Sequence, residues 1–266
     1  MLQTSLCLED FYWYQRAWVF FKTLVQFEKM RILIAASLLP MFLLTVSGQD
    51  LGKDLGDKSE SRGAAATDNQ IVEALKDVLT AGARDAVRVA GAENGFWSND
   101  QIKIPLPDKM ASLDNGLRLS GQGINLDQFQ LAMNRAAEAA APSCGPLIVK
   151  AIASMSISDP RGVLNSNSQA ATEYLQKAML PWLTKAVRPY VEAAMNKYSV
   201  KQRYAPLHVQ MTGLTMGQAP AIDIDQYMVS QTLNGLLVLV SSEEQKVRSE
   251  PSAQTTTLLK SVFSKR

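Results

Sequence analysis

Apolar residues that recur at steps of three and four are the feature that most restricts this chain. Ile71, Leu75, Val78, Leu79, Ala86 and Val89 form one such stripe. The spacing predicts an amphipathic helix capped at Asp68 or Asn69 and running to about Ala90, closed by Gly91 and the Glu93-Asn94-Gly95 turn. LDQFQLAMNRAAEAAA, capped by Asn125, predicts a second helix that Pro142 stops, with Pro146–Met155 resuming as a short apolar helix. Residues 108–119 read as helix and Gly121-Gln122-Gly123 as a turn. A long helical region is expected from Gln169 to about Tyr198, kinked or divided by Pro181 and Pro189. The last long helix starts at Asp223 or Asp225, and its Gly235–Val240 run is apolar all round and therefore central.

No segment is convincingly β. In FWSNDQIKIPLP, residues 96–107, the apolar Ile102, Ile104 and Leu106 alternate, but Pro105 and Pro107 argue for an extended segment laid along the helices. Residues 156–168 read as the most loop-like interior stretch, and residues 200–222 as mixed, with turns at Pro206, Gly213, Gly217 and Pro220. The fold class is thus all-α, a single multi-helix, bundle-like domain of about six to eight helices with one extended Pro-containing segment.

The amino-terminal region follows another logic. From Met30 the chain reads MRILIAASLLPMFLLTVSGQD: a basic start at Arg31, an uncharged apolar run from Ile32 to Val46, then Ser47 and Gly48. This layout predicts a secretory signal peptide over residues 30–48, because the run is shorter than the roughly 20 residues of a spanning helix. Residues 1–29 are aromatic-rich and unlike the rest; they read as a non-native extension, with translation starting at Met30, or as an interfacial helix. Residues 49–68 are polar and Gly-rich and read as a flexible spacer before an all-helical domain at 69–266. The expected location is the periplasm or the exterior, with no stable transmembrane anchor after processing.

Composition narrows the chemistry. The whole chain carries a formal charge of +2; four of its 27 basic and three of its 25 acidic residues lie in 1–48, leaving +1. Nothing there draws nucleic acid. A single histidine, His208, has no companion for a metal cage or a second catalytic histidine. It reads as a structural residue, and Cys144, in APSCGP, as a buried inert thiol. Phosphate loops, the G-x-S-x-G elbow, H-E-x-x-H and C-x-x-C are all missing, so no cofactor and no metal are expected. Asp223-Ile224-Asp225 reads as helix capping, and Glu243-Glu244 as part of a solvated helix end on which Glu244 and Arg248 pair.

Two constellations remain. Asp159, Arg161, Asn165 and Asn167 crowd one loop, followed by Glu173 and Tyr174. An Arg–Asp pair in a fixed turn can hold a carboxylate or phosphate; in the alternative, Asp159 caps the turn and Arg161 pairs with a buried acid such as Glu138. Asn134, Arg135 and Glu138 lie close on one helix, with Asn134 and Glu138 on a common face, as a polar network or as a site. The candidate ligand-binding residues are therefore Asn134, Arg135, Glu138, Asp159, Arg161 and Tyr174.

Several separated pieces resemble a known bacterial family, the domain of unknown function 4197. They are Ile104-Pro105-Leu106-Pro107, NRAAEAAAP from Asn134 to Pro142, Asp159-x-Arg161-Gly162-x-Leu164 and AATEYL from Ala170 to Leu175. Glu243-Glu244-x-Lys246-x-Arg248 and the ending P-x-x-x-x-T-x-L-L-K-x-V-F from Pro251 complete the set. The resemblance implies an exported, mostly helical protein and carries over no catalytic or binding residue. The expected role is a non-catalytic envelope module that binds a protein partner or an amphiphile. The alternative is an enzyme for an anionic substrate, centred on Asp159, Arg161 and Tyr174.

Overall fold

The computed structural model describes residues 66–219 and 221–264. The expectations for residues 1–48, and for the spacer up to residue 65, lie outside the described residues.

Four long helices pack as a closed ring: α1 (Asp68–Ala90), α4 (Gly123–Ser154), α6 (Ala170–Lys197) and α8 (Ile224–Ser249). α1 lies between α8 and α4, and α6 packs on the other flank of both. The shorter helices are α2 (Asp108–Ala111), α3 (Asp114–Leu117), α5 (Pro160–Asn165), α7 (Val200–Leu214) and α9 (Thr257–Phe263). α7 rests against α4, and α9 against α1. The described residues contain no strand, and none of their helices is long and apolar enough to cross a membrane. The all-α expectation holds.

The α1 stripe is buried as its spacing required, at Ile71, Leu75, Val78, Leu79 and Ala86. Its cap is Thr67, whose hydroxyl accepts from Gln70 N–H while the Gln70 side chain accepts from Thr67 N–H, a reciprocal pair that displaces Asp68 from the role. Asp223 does cap α8, accepting from Gln226 N–H at 2.9 Å. Of the Gly235–Val240 run, Gly235, Leu236, Leu237 and Val240 are buried while Val238 and Leu239 are half-buried, so one side of the run faces the core rather than all of it.

Proline accounts for the main departures from expectation. Pro142 and Pro146 interrupt nothing: α4 runs unbroken to Ser154, and α6 runs unbroken through Pro181 and Pro189. All four prolines are exposed, so each ring sits on the outer side of its helix, away from the packed core. The inner face of the same turns, with Ala137, Ala141, Cys144 and Ile148, is fully packed and outweighs the lost hydrogen bonds. Residues 200–214 likewise form α7 through the exposed Pro206 rather than a mixed stretch. Residues 108–119 yield two single turns and the start of a π-helical turn at Arg118–Gln122, within which Gly121, at φ 81°, sets the kink leading into α4, which starts at Gly123 ahead of Asn125. The expected 156–168 loop contains α5.

Two close approaches fix how the elements sit. A Cβ on Gly145 would stand 2.6 Å from Val87 Cγ2, so α1 and α4 meet only because that side chain is missing. A Cβ on Gly235 would stand 2.6 Å from Phe96 Cε1; the glycine admits the buried Phe96 to α8. Of the expected extended segment, residues 96–102 fold instead into successive turns, with Asn99 O accepting from Ile102 N–H and Lys103 N–H, and only 103–107, around the two prolines, run without a turn; Ile102 and Ile104 are buried.

Candidate functional site

The polar interior is organised around two carboxylates. On α4, Glu138 turns Oε1 toward the backbone N–H groups of Phe96 (3.2 Å) and Trp97 (3.1 Å). Its Oε2 accepts from Arg135 Nη1 at 2.7 Å, and Arg135 Nη2 reaches Asn94 Oδ1 at 2.8 Å. One turn earlier Asn134, fully buried, pairs with both backbone groups of one residue, Ile104. Its Oδ1 accepts from Ile104 N–H (2.8 Å) and its Nδ2 donates to Ile104 O (2.9 Å). An amide side chain thus replaces the strand neighbour that an extended segment otherwise needs for its backbone groups. Tyr227 fastens the far end by donating from its hydroxyl to Pro105 O at 2.8 Å, and burial, with the Asp108 charge, pushes that phenol up to about 12. Asn134, Arg135 and Glu138 are therefore brought together, in a latch that holds the segment 96–107.

On α8, Glu244 is fully buried, which corrects the reading of Glu243-Glu244 as a solvated face. Its Oε1 accepts from Ala171 N–H (2.9 Å) and its Oε2 from Thr172 N–H and Thr172 Oγ1 (both 2.7 Å). Gln169 offers no side-chain cap to α6, so a carboxylate from a different helix serves as the cap for the buried first-turn N–H groups that have no partner within the helix. Arg248 pairs with Glu244 at 2.9 Å and donates to Leu164 O (2.8 Å) and Val163 O (3.3 Å) at the end of α5. Its guanidinium also stands over the Phe263 ring at 5.5 Å. A buried acid and base, one turn apart, therefore join the end of α5 to the start of α6 and seat α9. Periodicity could not have found this clamp; the only signal was the acid-to-base order of Glu244 and Arg248.

The other sequence candidates go separate ways. Asp159 accepts from Gly162 N–H at 2.8 Å and caps its own helix. Arg161 pairs with Asp68 at 2.7 Å and donates to Ala66 O at 2.9 Å, so its acid is an exposed one on α1 rather than the expected Glu138. Tyr174 donates to Ser156 O at 2.8 Å. Asn167 bridges to Glu173 and accepts from Gln169 N–H. No hydrogen bond or ion pair links Asp159, Arg161 and Tyr174 to one another. An open groove of about 450 Å³ lies between α1 and the end of α4, beside Val72, Glu73, Lys76, Asp77 and Ile152, and none of the six candidates lines it.

The remaining reactive groups are quiet. Cys144 is buried, and burial pushes its thiol up to about 12, where it is neither nucleophile nor ligand. His208 contacts Tyr204 Oη through Nδ1 at 3.3 Å. Among the described residues no three His, Cys, Asp or Glu side chains gather as metal ligands.

Among the described residues several large apolar side chains reach the surface, Leu119 and Ile124 around the start of α4 and Val209 and Met216 at α7. α7 buries Val200, Leu207 and Met211, and its opposite face carries no charge: Gln202, Ala205, Pro206, Val209 and Gly213 are exposed there, followed by Met216. Val209 is 70% and Met216 95% exposed.

Four ringed helices, a latched segment over residues 96–107 and two buried acid–base networks define a multi-helix all-α domain whose polar interior joins chain segments. A family model described as "Protein of unknown function (DUF4197)" matches residues 65–264, and the chain belongs to that family. Comparison with curated proteins and with solved structures finds no match. The pieces that carry the family likeness converge on the two networks: IPLP and NRAAEAAAP meet in the latch, and the remaining four meet in the clamp or flank it.

Proposed function

We propose that this chain is an exported envelope protein acting as a non-catalytic helical interaction module. The observation that carries this reading is the division of labour among its side chains. The buried polar groups of the latch and the clamp are consumed in holding chain segments, while the exposed face of α7 is uncharged and presents Val209 among small residues, with Gln202 its one long polar side chain. An apolar surface left open on a folded domain is the mark of a contact site. Export rests on the Met30–Gly48 segment, whose basic start, uncharged run and small closing residues form a leader. The partner is an envelope protein or an amphiphile.

The enzyme reading has weaker support, because Asp159, Arg161 and Tyr174 each satisfy a different backbone group or ion pair. Two measurements test the proposal. Residues 1–48 fused to a reporter that matures only outside the cytoplasm should yield active reporter; retention in the cytosol defeats the export half. Crosslinking in intact cells followed by purification should recover an envelope protein or a lipid, and recovery of neither defeats the interaction half.

A further inference from the structure

We propose that the outer face of α6 docks on an anionic phospholipid bilayer, with the helix lying along the headgroup layer. The proposal rests on the interaction-module reading, since it names an amphiphile as occupant, but it concerns a face apart from α7. Ala178, Trp182, Lys185 and Pro189 recur on α6 at steps of three and four, and all are exposed. Pro181 and Tyr190, also exposed, flank them, while Leu183, Val187 and Val191 are buried on the other side of the helix. The exposed stripe runs about 16 Å along the helix axis, from Ala178 to Pro189. A stripe this straight lies against a plane.

Charge selects the occupant. Between Tyr174 and Val191 α6 carries Lys177, Lys185 and Arg188 and no acid, and between Ala139 and Ser154 the adjacent α4 carries Lys150 as its one charge. Arg188 pairs with Glu192, but Lys150, Lys177 and Lys185 form no ion pair with any described residue. Elsewhere surface cations meet acids, as Arg118 meets Asp114 and Asp127, and Lys201 meets Asp225. Lys150 stands over the Trp182 ring at 6.0 Å, and Lys185 follows Trp182 by one turn, so two helices set unspent ammonium groups around one indole. An apolar partner would strip water from those groups and return nothing. A layer of anionic headgroups returns a phosphate to each lysine and accepts Trp182 and Tyr190, rings that are apolar with one polar end. Neither ring is hydrogen-bonded to a described residue, whereas the hydroxyls of Tyr174 and Tyr227 are held by backbone carbonyls. Fixed carboxylates on a protein are matched by the fork of arginine; lysine, a point charge on a flexible stem, suits phosphates that move. None of the described helices is apolar enough to cross a bilayer, so α6 lies on the surface.

The test uses the full chain with vesicles of phosphatidylglycerol and phosphatidylcholine, and with vesicles of phosphatidylcholine alone. In flotation the chain should bind the anionic vesicles and be released by salt. Lys150→Gln with Lys185→Gln should weaken binding about 25-fold, about five-fold for each lysine, and Lys150→Arg with Lys185→Arg should keep it. Residues 1–48 contain an apolar run of their own, so contact at α6 is read separately. A polarity-sensitive dye on Ala178→Cys, in a Cys7→Ser background whose other thiol is the buried Cys144, should shift to the blue on anionic vesicles. Equal binding to both vesicles, indifference to the lysine pair, or a dye that stays in water overturns the proposal. A chain that floats with neither vesicle yet crosslinks to an envelope protein also overturns it and leaves the interaction module standing. A chain that does neither removes both.

Discussion

Glu138 and Glu244 perform the same task in two different surroundings. Each sits on a long helix, accepts from two successive backbone N–H groups, and pairs with an arginine on its own helix. The difference is water. The Arg135 side chain beside Glu138 keeps 23% of its exposure, whereas Arg248 beside Glu244 keeps 5%. A partly wet arginine can hydrate when its acid is lost; a dry one is left as an uncompensated charge. The latch therefore secures one segment, while the clamp is a point on which three helices depend.

Breaking the clamp should have the largest effect. Glu244→Gln leaves Arg248 charged and buried, so urea unfolding should show a loss of about 3–5 kcal/mol. Replacing both residues, Glu244→Leu with Arg248→Met, should not recover native stability. The N–H groups of Ala171 and Thr172 and the carbonyls of Val163 and Leu164 would all lose their partners. Glu138→Gln should cost less, about 1–3 kcal/mol, and should show first as faster hydrogen exchange at the Phe96 and Trp97 amides. A Glu138→Gln loss equal to that of Glu244→Gln would end the distinction by water access.

Alkaline pH should act on the latch side through Tyr227. Its folded value is raised from 10.0 to about 12 by burial and the Asp108 charge, so the neutral phenol favours the folded state. That contribution is complete below pH 10 and is lost as pH rises from 10 to 12, because the unfolded chain ionises first. Cys144, raised from 9.0 to about 12, works in the same direction from pH 9 upward. Titrating stability from pH 8 to 12 should show a decline, and a flat profile would refute it. The smallest effect belongs to the exposed Arg161–Asp68 pair: Arg161→Ala should change stability by about 0–1 kcal/mol. A loss several times larger would make that loop a third structural centre.

Much of the frame was legible in the sequence. The α1 stripe, the apolar run of α8, the span of α6 and the turn-free stretch around Pro105 and Pro107 followed from periodicity and proline placement, whereas the turns over residues 96–102 did not. The pairing of Asn134 with Glu138 on one face was legible too, because i and i+4 lie together on any helix. Helix ends were not. Pro142 and Pro206 reward a reading that breaks the helix, since local rules cannot know that each ring faces water while the opposite face is packed. Glu244 misled for a related reason: SSEEQKVR has the composition of a solvated end, and only the arrival of the α6 N-terminus makes burial of its carboxylate favourable.

By itself, then, the sequence determined the all-α class, the order of the long helices and the apolar stripes that face inward, since these depend on spacing along one chain. Which polar groups meet was decided by tertiary structure alone. Arg161 met Asp68, Glu244 met Thr172 and Asn134 met Ile104, pairs that lie 30 to 93 residues apart. A hydrogen bond depends on distance in space, and no local pattern records that distance.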